Sequence, residues 1–157
     1  MRRIDRELKE HSKLLAILDG SDVLHLGLWD GKEVYVVPLN FVRIDDALYV
    51  HSAREGRKID ILKTNPQVCF EVTGAHTIEP GFGGAHCTTR YESVIGWGTC
   101  SVLTDQAQKR SVLCALNKKF GASTENIPDA VVQRTAIVKI TMEKLTGKSN
   151  RSNNDEE

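Results

Sequence analysis

Val34-Tyr35-Val36-Val37-Pro38-Leu39-Asn40-Phe41-Val42 is apolar at both parities of a strand. A strand with one face in water alternates apolar and polar side chains. One face of this stretch is therefore expected to line a core, and the other needs a cover. No helix in the chain reads as long enough to supply it, so a second copy of the chain is the expected cover. Pro38 removes an amide donor in mid-strand, which fits a strand edge, a bulge, or a planar ligand lying against the backbone.

The flanking sequence gives this strand its neighbours. Asp30-Gly31 is a hairpin signal that joins it, over Glu33 to Arg43, to a strand from Val23 to Trp29. Asp45-Asp46 turns the chain into a third strand from Ala47 to His51. Further strands are expected over Gln67 to Thr73, over Arg90 to Val102, and within Val131 to Lys144, where Ala136, Val138, Ile140 and Met142 alternate. Helices are expected over Asp5 to Leu18, from about Ala53 to Thr64, and over Asp105 to Phe120. The middle one ends at Asn65-Pro66 because a residue before proline resists helical angles. In the last, Ala107, Leu113, Cys114, Leu116 and Phe120 are expected to pack on the sheet. The glycine-rich stretch from Gly74 to Thr89 reads as a loop, as does Ala122 to Asp129.

Tight hairpins and few helices predict a mainly β fold with flanking helices, a small closed or split β-barrel of six mostly antiparallel strands. A doubly wound parallel sheet would need a crossover helix after most strands. One domain is expected over residues 1–148. The polar tail, Ser149 to Glu157, lacks apolar side chains and reads as disordered.

The composition narrows the function. The chain has 157 residues, 40% of them hydrophobic, enough for a core without disulfides. Lys+Arg and Asp+Glu are both 21, so no global field holds a polyanion and a general nucleic-acid binder is not expected. No apolar run has the length of a membrane span, and no apolar signal core follows the basic start at Arg2-Arg3. A cytoplasmic protein is expected. Cys69, Cys87, Cys100 and Cys114 form no C-x-x-C pair. Cys69, Cys100 and Cys114 read as small core residues, while Cys87 beside His86 has the setting of a reactive thiol. His76, His86 and Cys87 are too few and too unevenly spaced for zinc, so no metal is expected.

The residues with chemistry in them are His51-Ser52-Ala53-Arg54-Glu55-Gly56-Arg57-Lys58. Ser52 and Glu55 have the spacing of a capping box, which makes this a helix start. Arg54, Arg57 and Lys58 then crowd the positive end of the helix dipole, at about 0.3–1 kcal/mol for each exposed charge. A bound anion reverses the sign of that interaction, and Gly56 lets it approach the backbone. Amides, a serine hydroxyl and cationic side chains together suit a phosphate. His51, next to this corner, is placed to donate a proton to a bound substrate.

Tyr35-Val36-Val37-Pro38-Leu39-Asn40-Phe41, Leu48-Tyr49-Val50-His51-Ser52-Ala53, Glu55-Gly56-Arg57-Lys58-Ile59-Asp60, Asn65-Pro66-Gln67-Val68-Cys69-Phe70-Glu71, Tyr91-Glu92-Ser93-Val94-Ile95-Gly96-Trp97-Gly98 and Thr146-Gly147-Lys148 stand in one collinear order. In these stretches the chain resembles the pyridoxamine 5'-phosphate oxidase-like split β-barrel flavoproteins, and within them the branch related to nitroimidazole-resistance reductases. The resemblance implies a homodimer with FMN between subunits. It implies that Ser52, Arg57 and Lys58 hold the FMN phosphate, beside His51. Val37, Pro38, Leu39, Asn40 and Phe41 would offer backbone to the flavin ring, with Tyr91 and Ser93 near it and Trp97 reaching the flavin of the other subunit. The implied activity is two-electron reduction of a small organic acceptor, with NAD(P)H as donor. Pyridoxamine 5'-phosphate oxidase activity, or a non-catalytic module binding flavin, deazaflavin or heme, are the alternatives. Glu92 departs from the branch, whose members often carry arginine there, and so does the glycine-rich stretch Glu79 to Cys87.

Overall fold

The computed structural model describes residues 3–81 and 87–151. After a 3-10 turn at Ile4–Arg6 come β1 (Glu7–Leu8), α1 (His11–Gly20), β2 (Val23–Trp29), β3 (Val34–Ile44), β4 (Ala47–Ser52) and α2 (Arg57–Thr64). Then follow β5 (Gln67–Glu79), β6 (Thr88–Val102), α3 (Gln106–Lys119), α4 (Asp129–Arg134) and β7 (Ala136–Ser149). No helix among the described residues is long and apolar enough to cross a membrane.

Every pairing is antiparallel. The order β7-β4-β3-β2-β5-β6 closes on itself because β6 pairs back onto β7. These are the six barrel strands expected from the sequence. The short β1 is an addition, pairing Glu7 with Lys148 and Leu8 with Gly147. It replaces the first half of the expected Asp5 to Leu18 helix. Gly147 explains the exchange: a β-carbon there would lie 2.2 Å from Leu14 Cδ2 and 3.3 Å from Leu8 Cβ, so its absence lets both leucines pack onto the strand.

The β2–β3 turn forms as its sequence indicates. Asp30 Oδ1 accepts from the backbone N–H groups of Lys32 and Glu33, each at 2.8 Å, and Gly31 takes φ 94°. Inside the barrel, Leu24, Leu26, Phe41, Leu48, Val50, Phe70, Val72, Val94, Val138 and Ile140 are buried. Leu14, Ile17 and Leu18 of α1 and Ile59, Ile61 and Leu62 of α2 join the same core. Cys100 is buried in the same core, and burial pushes its thiol up to about 12.

Three expectations are corrected here. The stretch read as a loop from Gly74 to Thr89 is largely strand: β5 and β6 stay paired out to Glu79 and Thr88, across a register shift between Thr73 and His76. Residues 82–86, which include His86, lie outside the described residues; among the described residues no group of three His, Cys, Asp or Glu side chains that could hold a metal forms. The last strand begins at Ala136, inside the expected Val131 to Lys144, but runs on to Ser149, and Asp129–Arg134 ahead of it is a helix that buries Val132. The start of the supposed tail is structured: Ser149 pairs with Glu92, and Asn150 bonds to both backbone groups of Tyr91. Residues 152–157 lie outside the described residues.

A second, smaller core sits outside the barrel. Val112, Leu113 and Leu116 of α3 and Val132 of α4 pack on Ile137, Tyr49, Val42 and Ile44. Ala107 and Phe120 stay exposed, because the buried face of α3 instead carries Lys109 and Val112. α3 thus covers the last part of β3. The first part keeps its outer face open, with Val34 67% and Val36 55% exposed.

Candidate functional site

β4 ends in His51 and Ser52, both drawn into the sheet opposite Ile137 and Ala136. That pairing overturns the capping box. Ser52 Oγ donates to the carbonyl of Ala53 at 2.9 Å, and α2 begins only at Arg57. Its N-cap is Gly56, at φ 115°, a backbone region open to glycine and strained for other residues. No side chain caps the helix, so no side-chain acceptor satisfies the leading amides of α2.

The two expected phosphate ligands on α2 differ sharply. Arg57 donates to Glu33, and to Asp30 Oδ2 at 3.2 Å, and its guanidinium carbon lies 4.8 Å from the centre of the Tyr35 ring. It is already neutralised by the β2–β3 turn. Lys58 is half-buried and forms no ion pair among the described residues, and burial pushes its ammonium below the usual 10.5. A partly desolvated cation without a carboxylate is unfavourable unless an anion arrives. Arg54, exposed in the same loop, also pairs with no carboxylate among the described residues.

The edge of β3 leads into this corner. Val34 to Asn40 pair with β2, but the β3–β4 ladder covers only Phe41 to Ile44. On the β4 side, the backbone from Val34 to Asn40 therefore has no strand partner. Continuing the register sets Asn40 beside His51 and Leu39 beside Ser52. Val37, Leu39 and Phe41 turn inward to the core, while Pro38 and Asn40 are exposed, Asn40 donating to the carbonyl of Asp22 at 3.1 Å. Of the five residues expected at a ring, Val37 and Leu39 can offer backbone but not side chain, and Phe41 is already paired with Val50 of β4.

Tyr91, Ser93 and Trp97 are not brought to this corner. Ser93 stands opposite Thr73 and Lys148, and Tyr91 opposite His76. Trp97 lies on the outer face of β6, with the Lys144 ammonium 5.2 Å from its ring centre. It shares a row with Cys69, Gly27 and Val36, so it is three strands, or about 14 Å, from β3. Glu92, the departure from the branch, faces Arg151 at 3.8 Å.

Sequence reading did not find the partners of Arg57. Asp30 and Glu33 were legible only as a turn, and nothing local links a turn to a helix that begins 24 residues after Glu33. The geometry as a whole offers a backbone edge for a flat polar molecule and, at its end, amides, a hydroxyl and an uncompensated ammonium for an anionic tail.

A structure of a candidate 5-nitroimidazole antibiotic resistance protein from Bacteroides thetaiotaomicron matches with a TM-score of 0.81 at 26% identity, over 90% of this chain and 85% of that one. An FAD-binding protein from Mesorhizobium loti matches with a TM-score of 0.70 at 25% identity, over 93% and 98%. A flavocytochrome from Azotobacter vinelandii shares the fold, with a TM-score of 0.83 at 18% identity, over 97% and 72%. None of the curated proteins matches the chain. The sequence profile of the pyridoxamine 5'-phosphate oxidase family matches residues 10–149, from α1 through β7, and the chain belongs to that family.

Proposed function

We propose that the chain is a cytoplasmic, homodimeric FMN-binding oxidoreductase that reduces a small organic acceptor, with NAD(P)H as electron donor. The observation that carries this reading is Lys58, half-buried and, among the described residues, without a counter-ion, next to Arg57, whose guanidinium lies over the Tyr35 ring of β3. Family membership and the names of the Bacteroides and Mesorhizobium proteins support it.

The residues fit the group. Lys58, Arg54, Ser52 and the first-turn amides of α2 would hold the phosphate, and the edge from Val37 to Asn40 would face the ring system. FMN, when bound, supplies two-electron redox chemistry. The chain's own part is orientation and proton delivery. His51, exposed at the end of β4 beside Asn40, donates the proton that a reduced acceptor needs. In this reading Trp97, with Tyr91 and Ser93, serves the site of the other subunit, since β2 and β5 separate it from β3 in its own.

The test is the visible spectrum of the purified protein, followed by anaerobic addition of NADH. Flavin absorbance that bleaches supports the proposal. A colourless protein that takes up no FMN on reconstitution overturns it, and so does a bound flavin that no nicotinamide bleaches, which would leave a binding module.

A further inference from the structure

Asp30 and Glu33 hold Arg57 in different ways. Asp30 is fixed by the β2–β3 turn itself: its Oδ1 accepts from the amides of Lys32 and Glu33, and only Oδ2 reaches Arg57. Glu33 serves the turn through its backbone, whose N–H donates to Asp30 Oδ1 and whose C=O accepts from the Asp30 amide. Its carboxylate bonds, among the described residues, to Arg57 alone. The turn does not need that carboxylate.

An exposed ion pair of this kind adds little to the stability of a fold. Its position gives it another consequence. Arg57 opens α2 directly before Lys58, and its guanidinium also lies over the Tyr35 ring at 4.8 Å. Two carboxylates and a ring therefore compete with any anion that draws on Arg57. In the turn and the segment around the start of α2, Arg54, Arg57 and Lys58 are matched in number by Asp30, Glu33 and Glu55, while Asp60 is paired with Lys63. A phosphate monoester carries roughly two negative charges at neutral pH, and Lys58, Arg54 and the leading amides of α2 suffice for it. A diphosphate brings more charge and a second group to hold. That group has Arg57 to draw on only if Glu33 releases it, and otherwise meets Glu33 and Asp30 as like charges.

We propose that Glu33 is a specificity-determining residue of this corner: by occupying Arg57 it favours a ligand that ends in a phosphate monoester and selects against diphosphates. The proposal rests on the reading of the corner as a phosphate site, and FMN is such a monoester.

Inorganic phosphate and pyrophosphate test this on the full-length protein, followed through the amide NMR signals of Gly56, Arg57 and Lys58. The parent is expected to bind phosphate at least as tightly as pyrophosphate, although pyrophosphate carries more charge. Glu33→Gln keeps the backbone bonds of the turn and frees Arg57. It should tighten pyrophosphate about fivefold, the scale of one exposed ion pair, and phosphate less than about twofold. Arg57→Ala placed in the Glu33→Gln chain should remove the gain, whereas a gain from surface charge alone would survive it. Pyrophosphate bound tighter than phosphate by the parent, an unchanged pyrophosphate affinity in Glu33→Gln, or a gain that survives Arg57→Ala overturns the proposal. FMN titration tells two failures apart. If FMN and phosphate bind and the Glu33→Gln gain is missing, the corner stands and Glu33 has no part in its specificity. If neither FMN nor either anion binds, the phosphate reading itself falls and takes this proposal with it.

Discussion

The guanidinium of Arg57 donates to the carboxylate of Glu33, tying the first turn of α2 to the β2–β3 turn. Asp30 shares the same guanidinium, and backbone amides of Glu33 and Lys32 hold the Asp30 carboxyl below the usual range, so it stays ionised. A phosphate at this corner meets an arginine that is already paired and a lysine that is not. Lys58→Ala is therefore expected to weaken FMN binding roughly 10- to 150-fold, the worth of one charge-assisted contact of about 1.5–3 kcal/mol. Arg57→Ala should weaken it less than about fivefold on the same scale. Fluorescence titration of FMN checks both, and a larger loss for Arg57→Ala would move the phosphate from Lys58 to Arg57.

The same lysine makes a statement about pH. Burial lowers the Lys58 ammonium from 10.5 in the folded chain. Between the folded value and 10.5 the unfolded chain binds more protons, so the Lys58 contribution to stability rises with pH there. FMN binding goes the other way, because the phosphate needs the ammonium. Affinity is expected to fall as pH rises through the lowered value, before 10.5 is reached. Lys58→Arg, always charged, should remove that decline. A decline of equal size in Lys58→Arg would assign it to another group.

How much of this was legible in the sequence varies by element. Val23–Trp29 and its turn have the bounds expected of them, because alternation and Asp30-Gly31 are local signals. The double apolarity of β3 called for a cover on its outer face, but the expectation that no helix could supply it is corrected over Val42 and Ile44, where α3 packs. What escaped were long-range pairings. Ser52 looks like a helix cap until Ala136 pairs with it, and His76 looks like loop until it pairs with Tyr91 in the β5–β6 ladder. At the candidate site, residue types were readable but their charge state of affairs was not: only the fold brings Asp30 and Glu33 to Arg57 and leaves Lys58 without them.

Two glycines of β6 test the barrel itself. A β-carbon on Gly96 would stand 2.1 Å from Cζ of Phe70, a ring only 1% exposed. One on Gly98 would stand 2.1 Å from the backbone oxygen of Thr141. Gly96→Ala is expected to destabilise by about 1–3 kcal/mol or more through overpacking. Phe70→Leu should recover part of that loss, giving a coupling of about 1 kcal/mol in a double-mutant cycle. Gly98→Ala faces backbone, so no side-chain change should rescue it. Urea unfolding of the four variants and the parent measures this, and additive effects at Gly96 and Phe70 would remove the ring from the explanation.

The outer face of β3, β2, β5 and β6 tests the proposed dimer. Val34 pairs with Trp29 and Trp97 with Cys69 across this face, and Val34, Val36, Trp29, Ile95 and Trp97 are all exposed on it. Single exposed apolar residues are ordinary, but a contiguous patch of this kind marks an interaction surface. The face belongs to the same β3 whose edge reaches the phosphate corner, so a partner seated on it completes the flavin cleft. Val36→Asp places an uncompensated charge at its centre. The variant is expected to run as a monomer in light scattering at micromolar concentration where the parent runs as a dimer. Its far-ultraviolet circular dichroism should not change, since Val36 is 55% exposed and supports no core. Its FMN affinity should fall as well, because half of the cleft leaves with the partner. A parent protein that is itself monomeric, or a Val36→Asp dimer that keeps full affinity, would separate the cofactor from this face.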